Sequence, residues 1–381
     1  MGGDNMPDIV LFGMFRPWGG TYRRLMNQIH VWTRDGWSVE LVTFRDGEMF
    51  YPDEMPESVA CVHLGTRGKL ATAFALWRYM RRRRPAVVLS VNHITNVILA
   101  QAGMLPETGA KRFLSVPNTF GESEKLAAEP RRREQKFRQI RRWYPRSHGV
   151  IAVSDGVRRD LVENVGLKGV DVQRIYSGSV ASGTLERAGE PVDHPWLAED
   201  SAVPVIMSAG RLVPQKDYPT LLRAFARLRE RREARLIIVG KGREQEQLEA
   251  LARELGIAEH VDFPGFAANP YAWMARADVF ALSSRWEGLV NVVMEALGLG
   301  VPVVSTDCPS GPREILADGR YGVLVPMKDP EALAEGLDRV LRGEGPVFDR
   351  DEAVDRFRAE TAAAAYLDFF GLQRRQTGQA A

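Results

Sequence analysis

The sequence predicts an α/β protein made of two Rossmann-like domains in tandem. Three observations predict it. Short, almost continuously apolar runs alternate with stretches of helical spacing, the alternation lapses once near the middle of the chain, and then it restarts. At 381 residues the chain is also longer than one ordinary core supports, since domains run to about 100–200 residues.

The first series of strands is read at Asp8–Gly13 (DIVLFG), Ser38–Phe44 (SVELVTF), Val59–Leu64 (VACVHL), Ala86–Val91 (AVVLSV), Arg112–Pro117 (RFLSVP) and Gly149–Ser154 (GVIAVS). Their unbroken hydrophobicity suits parallel strands covered on both faces. Helical spacing fills several of the gaps, as at Thr21–Arg34 and Lys69–Arg83, giving the βαβ rhythm of a doubly wound sheet. From Ser177 to Ser201 the pattern gives way to Gly, Ser, Pro and acids, which reads as the crossing between domains. The second series follows at Val203–Gly210, Ala234–Gly240, Val261–Gly265, Ala277–Ser284, Val301–Thr306 and Gly322–Pro326. Asp349–Phe370 closes it with an Ala-rich helical pattern.

Composition excludes several classes. No apolar stretch reaches the roughly 18–20 residues that span a bilayer. The start, MGGDNMPDIVLFGMF, lacks the basic, apolar and small-residue order of a secretion signal. Cys61 and Cys308 are the only cysteines, so no disulfide framework organises the fold and a reducing cytoplasm is expected. The net charge of +2 hides an asymmetry: residues 1–195 carry 28 Lys+Arg against 21 Asp+Glu, and the remainder 23 against 28. MRRRRP (Met80–Pro85) and RRREQKFRQIRRWYPR (Arg131–Arg146) cause most of it, and basic patches attract phosphates of every source.

Ligands of open α/β sheets bind beyond the carboxyl ends of the strands, and the informative residues stand there. After the first strand of the second series comes SAGRLVPQKDYPTLL, where Arg211 and Lys216 flank a loop before a helix. Such a pair can hold a diphosphate, Arg by its planar fork and Lys as a compact charge, although two solvated loop cations are the plainer reading of the residues taken alone. The next strand ends in VGKGREQEQL, a Gly-x-Gly turn into a helix, which by itself marks little more than a tight turn. The fourth ends in SSRWEGLVNVVMEALGLG, placing Glu295 among Val293, Met294, Ala296 and Leu297, eight residues after Glu287. A carboxylate taken out of water costs several kcal/mol unless it is paired or hydrogen-bonded, so a polar partner is expected. The helix that starts near Asn291 aims its amides at the ligand edge, where phosphate binds well. Glu295, one turn in, can accept two hydroxyl hydrogen bonds of the kind a ribose offers, and Glu287 can do the same for another polyol; for either alone an ion pair serves as well.

Gly210–Arg211, Lys216, the Glu287-to-Glu295 spacing and the following GVPVVSTDCPSGPREIL together resemble glycosyltransferase family 4, most closely over Ser208–Pro326. The resemblance implies a retaining enzyme of the GT-B fold, with two Rossmann-like domains whose parallel sheets face across a cleft and a C-terminal helix crossing back to the first. It divides the chain into an acceptor-binding domain at 1–180, a nucleotide-sugar-binding domain at 195–348, and a crossover helix and tail at 349–381. It implies that Arg211 and Lys216 grip the donor diphosphate, Glu295 the ribose and Glu287 the transferred sugar. The backbone of Asn291 and Val292 faces the diphosphate, Phe263, Gly265 and Phe266 border the base, and Gly210 and Gly240 lie on the donor loops. Gly19 and Gly20 in FRPWGGTYRR match the glycine loop that approaches the donor phosphates, where a side chain would block the approach.

One departure stands out. Many members carry a His after a middle strand of the first domain, where this chain has Pro117 and Asn118; His93, after the preceding strand, is the nearest substitute for it, although a lone His is more often structural than catalytic. The expected reaction moves a hexose or N-acetylhexosamine from a nucleotide diphosphate sugar, UDP-linked for preference, to a glycan or polyprenyl-diphosphate-linked sugar in surface-glycan assembly. The resemblance implies that the leaving diphosphate helps remove the acceptor proton, so neither a cofactor nor a metal is expected. The single Asp-x-Asp, Asp349–Asp351, reads as a helix cap. In the basic segment, Phe137, Ile140 and Tyr144 form an apolar stripe edged by Arg131, Arg138, Arg142 and Trp143. It reads equally as a helix lying on the inner face of an anionic membrane, with the arginines meeting a lipid-linked diphosphate, or as a core-facing stripe with a solvated rim. A nucleotide-sugar 2-epimerase of the same fold and a nucleic-acid-binding α/β protein are the alternatives; the first lacks an evident acid–base cluster, the second regularly placed stacking aromatics.

Overall fold

The computed structural model describes residues 6–14, 20–44, 54–122, 129–198 and 202–373. Two compact units divide the chain: Met1–Gly178 together with Arg358–Ala381, and Ser179–Phe357.

The first unit holds a parallel sheet of β1 (Ile9–Phe12), β2 (Val39–Thr43), β3 (Ala60–His63), β4 (Val87–Ser90), β5 (Lys111–Val116), β6 (Gly149–Ala152) and β7 (Val172–Arg174), in the order β3-β2-β1-β4-β5-β6-β7. Every residue of β1 is fully buried, as its IVLF run requires of a strand with helices on both faces. β7 escaped the sequence reading because it is a three-residue edge strand, VQR, with one buried position and no apolar run. The longer helices are α1 (Gly20–Arg34), α2 (Lys69–Arg83), α3 (His93–Ala102) and α4 (Pro130–Trp143). α2 packs on α3, and α3 on α4. The start of α3 is set by Asn92, whose side chain accepts from the Thr95 amide while the Asn92 amide donates to Thr95 Oγ1.

α4 settles the even choice about its stripe. Phe137, Ile140 and Tyr144 are buried, so the apolar face points into the unit and does not meet a membrane. The physical reason is that Tyr144 completes a polar contact inside: its hydroxyl accepts from Asn96 Nδ2 at 3.1 Å and lies 3.1 Å from His93 Nδ1. Arg131, Arg138 and Arg142 are the solvated rim, and Trp143 is half-buried under the Arg142 and Arg146 guanidinium groups.

The second unit repeats the plan with β8 (Val205–Ala209), β9 (Arg235–Val239), β10 (Val261–Gly265), β11 (Val279–Leu282), β12 (Val303–Thr306) and β13 (Val323–Val325), all parallel in the order β10-β9-β8-β11-β12-β13. Its longer helices are α5 (Tyr218–Arg229), α6 (Gln245–Glu254), α7 (Asn291–Gly298) and α8 (Pro330–Leu341). Leu221, Phe225, Leu333 and Leu337 from α5 and α8 close over Ile206, Ile238 and Val304 of the sheet. Each such side chain contributes about 1.5–3 kcal/mol on burial. Within the stretch read as the crossing, the division falls at Gly178/Ser179, and the described residues after it join this unit: Asn269 Nδ2 donates to Arg187 O and Glu190 Oε2, and His194 Nε2 lies 3.1 Å from Asp262 Oδ2.

The closing pattern is broken rather than continuous. Arg350–Val354 forms a short helix in the second unit, capped by Asp349, whose Oδ1 accepts from the Glu352 amide at 2.8 Å. After an extended Arg358 comes α9 (Ala359–Phe370), which belongs to the first unit and packs on α1. Trp32 Nε1 donates to Ala363 O at 3.3 Å, and its ring meets Tyr366 edge-on. The crossing-back helix is therefore present.

Candidate functional site

In each sheet the strand order reverses once: between β1 and β4, and between β8 and β11. The crevice beyond such a switch point is where open α/β sheets bind ligands. In the second unit, the loop after β8 supplies Gly210–Asp217 and the loop after β11 supplies Ser283–Val290.

Two ion pairs tie these loops together. Lys216 Nζ donates to Glu287 Oε1 at 2.7 Å, with the side chains 13% and 8% exposed. Arg285 Nη2 donates to Asp217 Oδ1 at 2.7 Å, and the Asp217 side chain is 2% exposed. The carboxylate of Glu287 also accepts from Ser284 Oγ at 2.7 Å and Gln215 Nε2 at 3.2 Å. Backbone contacts reinforce them: Ser283 Oγ donates to Lys216 O, the Arg285 amide to Gln215 O, and Gln215 Nε2 to Trp286 O. Leaving one member of a buried pair without the other costs about 3–5 kcal/mol, so the loops hold each other in place. The end of β12 and the loop after it add a third side. Thr306 Oγ1 donates to Ser284 O and Ser310 Oγ to Gly288 O, while burial, followed by the Glu287 charge, pushes the Cys308 thiol well above its ordinary range.

The glycines have packing explanations. Gly240 has φ +147°, and a Cβ there would stand 1.9 Å from Gly210 O; one on Gly242 would stand 2.2 Å from Leu212 O. The Gly240 amide donates to Gly265 O at 2.7 Å. A Cβ on Gly210 would meet Lys216 Cε at 3.0 Å, so Gly210 lets the lysine stem cross toward Glu287. Gly210, Lys216, Glu287, Gly240 and Gly265 thus form one contiguous set.

Arg211 is exposed beside them. Asn291 and Val292 are the first residues of α7, whose start carries no side-chain cap. Glu295 is buried at 5% exposure one turn into that helix. Gly265 and Phe266 line a cavity of about 150 Å³, together with Glu190, Ala267 and Trp273; Phe263 packs against the core instead. The sequence reading missed Gln215, Ser284, Asp217 and Arg285. Their only signal was polar side chains in the loops that follow apolar strands.

In the first unit, Gly19 lies outside the described residues and Gly20 opens α1. His93 begins α3, just after β4, and its ring meets Phe120 edge-on at 5.5 Å, beside the Pro117–Asn118 loop that follows β5. Asp160, 3% exposed, accepts from the Phe120 and Gly121 amides and fixes that loop's exit. Burial drives the Tyr144 hydroxyl far above its usual range, so it meets His93 as a neutral phenol. Among the described residues no cluster of three His, Cys, Asp or Glu is arranged to hold a metal.

The model for glycosyltransferase family 4 matches residues 18–179, and that for glycosyl transferases group 1 matches residues 192–360. The chain belongs to glycosyltransferase family 4. It is 32% identical over 231 residues, 59% of its length and 61% of the other's, to the Campylobacter jejuni N-acetylgalactosamine-N,N'-diacetylbacillosaminyl-diphospho-undecaprenol 4-alpha-N-acetylgalactosaminyltransferase. To the Rhizobium meliloti lipopolysaccharide core biosynthesis glycosyltransferase LpsE it is 35% identical over 181 residues, 46% of its length and 52% of the other's. The matches therefore span about half to three fifths of those two relatives. Among solved structures, the lipopolysaccharide outer core galactosyltransferase WaaB (apo form) superposes with TM-score 0.70 at 20% identity, over 95% of this chain and 99% of that one. Anabaena HepE in complex with UDP and glucose gives 0.69 at 18%, over 93% and 94%. At those identities they establish the fold of this family member, GT-B.

Proposed function

We propose that this family 4 protein transfers a hexose or N-acetylhexosamine, with retention of anomeric configuration, from a nucleoside diphosphate donor to a glycan or lipid-linked sugar in surface-glycan assembly. UDP is the preferred nucleotide. The observation that carries the reading is the buried Lys216–Glu287 pair at the β8/β11 switch point, with Arg211 and the start of α7 as further positive groups of the same unit.

In the proposed reaction, Arg211, Lys216 and the amides of Asn291 and Val292 stabilise negative charge growing on the diphosphate as the sugar C1–O bond breaks. Glu295 accepts from the ribose hydroxyls. Glu287 meets hydroxyls of the transferred sugar and, through Oε1, keeps Lys216 oriented. The acceptor oxygen forms the new bond to C1, and its proton passes to the departing diphosphate. In the first unit the candidate for acid–base work is His93, its orientation set by Tyr144. Nothing in this scheme calls for a metal. The relatives named for undecaprenol-linked and lipopolysaccharide-core transfer support an acceptor of that kind, and the UDP complexes of HepE support the nucleotide.

A screen of UDP- and GDP-sugars by thermal shift, then product analysis by NMR with a lipid-linked acceptor, tests the proposal. An α-linked product from an α-linked donor, formed in excess EDTA, is expected. Release of the free 2-epimer, an inverted linkage, or complete loss in EDTA would each overturn the corresponding part.

A further inference from the structure

The membrane-facing role that the sequence offered to α4 has a better claimant. α2 buries Thr72, Ala73, Leu76, Tyr79 and Met80, and leaves Leu70 76% and Phe74 51% exposed on the opposite side. Phe74 stacks on Trp77 at 5.5 Å, the Trp77 indole donates to Pro106 O at 2.8 Å, and two residues before Pro106 stands Met104, 62% exposed. Large apolar side chains exposed in a group mark an interaction surface. Its charge says with what. No Asp or Glu occurs between Glu57 and Glu107, whereas Arg78, Arg81 and Arg82 are exposed along the same helix, with the Arg81 guanidinium 5.3 Å over the Trp77 ring.

We propose that the outer face of α2, continued by Met104, docks the protein on the surface of a bilayer that contains anionic phospholipid. Leu70, Phe74 and Met104 enter the headgroup–acyl boundary and the arginines meet lipid phosphates. A second copy of the chain does not fit the face, because a two-fold contact would set arginines against arginines. A nucleic acid would use the arginines but leave the aliphatic side chains unexplained. Docking stands independently of the transfer reaction.

The test is sedimentation of the full chain with vesicles of phosphatidylcholine, with or without phosphatidylglycerol. Binding is expected only with phosphatidylglycerol. Leu70→Ser with Phe74→Ser should lower it about tenfold at any salt, and Arg81→Gln with Arg82→Gln should weaken it and flatten its salt dependence. All four positions are on the solvent side, and an unchanged melting temperature verifies folding. Arg131→Gln, Arg138→Gln and Arg142→Gln together on α4 should cost less than about twofold. No binding, full retention by the α2 variants, or a larger loss from the α4 variant would overturn the proposal. So would lipid-free dimerisation or nucleic-acid binding that Leu70→Ser with Phe74→Ser abolishes. Thermal stabilisation by UDP-sugars in the same variants reports on the donor site alone, so the two proposals fail separately.

Discussion

Lys216 and Glu287, 71 residues apart in sequence, meet at 2.7 Å where the strand order of the second sheet reverses, almost entirely out of water. A buried pair of this kind is weak evidence of stability for its own sake, because apolar side chains of the same volume often serve as well. Under the proposed function its cation and its carboxylate both serve a nucleotide-sugar, a role that fits its place at a ligand edge.

The two glutamates should separate kinetically. Glu295→Ala is expected to raise the donor Kd about tenfold, the worth of one pair of hydroxyl hydrogen bonds, with a smaller change in kcat. Glu287→Ala should instead lower kcat about a hundredfold or more and, by stranding Lys216, lower stability by about 3 kcal/mol. Steady-state kinetics with denaturant melts reads both, and equal, negligible effects would contradict the assignment.

Gly240 should be intolerant of any side chain. Its Cβ would overlap Gly210 O, backbone against backbone, at a φ that L-residues rarely adopt. Gly240→Ala is expected to cost about 3 kcal/mol or more. Gly210→Ala should cost less, since the nearest obstacle is the flexible stem of Lys216. Urea titration of the two variants gives the comparison.

The thiols should differ in reactivity. Cys61 is exposed and Cys308 is buried, with its thiol pushed well above the ordinary range by burial and then by the Glu287 charge. Iodoacetamide at neutral pH should therefore modify Cys61 in the native protein and reach Cys308 only on unfolding. Because the folded Cys308 pKa is raised, its contribution to stability is complete below the ordinary 9.0 and fades as pH climbs beyond it. Peptide mass mapping after a timed pulse checks the first expectation, and melts of Cys308→Ser against the parent check the second.

His148 supplies the opposite sign. Burial, then the Arg112 guanidinium, depress its pKa, and its Nδ1 accepts from the Arg112 amide at 3.0 Å, which requires that nitrogen to be bare. Its contribution is complete above the ordinary 6.5 and is lost as pH falls through the lower folded value. His148→Gln should flatten the acid-side slope of melting temperature against pH below 6.5. An unaltered slope would reject the attribution.

How much of this was legible depends on what a residue must face. Strands such as β1 were plain because burial on both faces leaves an unbroken apolar word, whereas β7 at the sheet edge leaves none. Glu295 announced itself as a carboxylate in an apolar run. The Asp217–Arg285 pair and the Gln215 and Ser284 bonds to Glu287 were hidden because each joins ordinary polar residues of two loops or of one turn. Periodicity revealed a stripe on α4 but could not tell which way it turned; the partner of Tyr144, Asn96, lies 48 residues earlier. In α2 the reverse happened. LATAFALW is apolar nearly all round, so nothing in its spacing distinguished the side that Leu76 buries from the side that Phe74 leaves bare.

The return of α9 to the first unit orders events on the ribosome. Trp32, Phe113 and the amine of Lys111 wait for Tyr366 and Phe370, so the unit synthesised first is finished last, after the whole second unit has emerged. For that interval the nascent α1 lacks the cover that α9 gives it, and apolar surface left open in this way is what makes folding intermediates prone to associate.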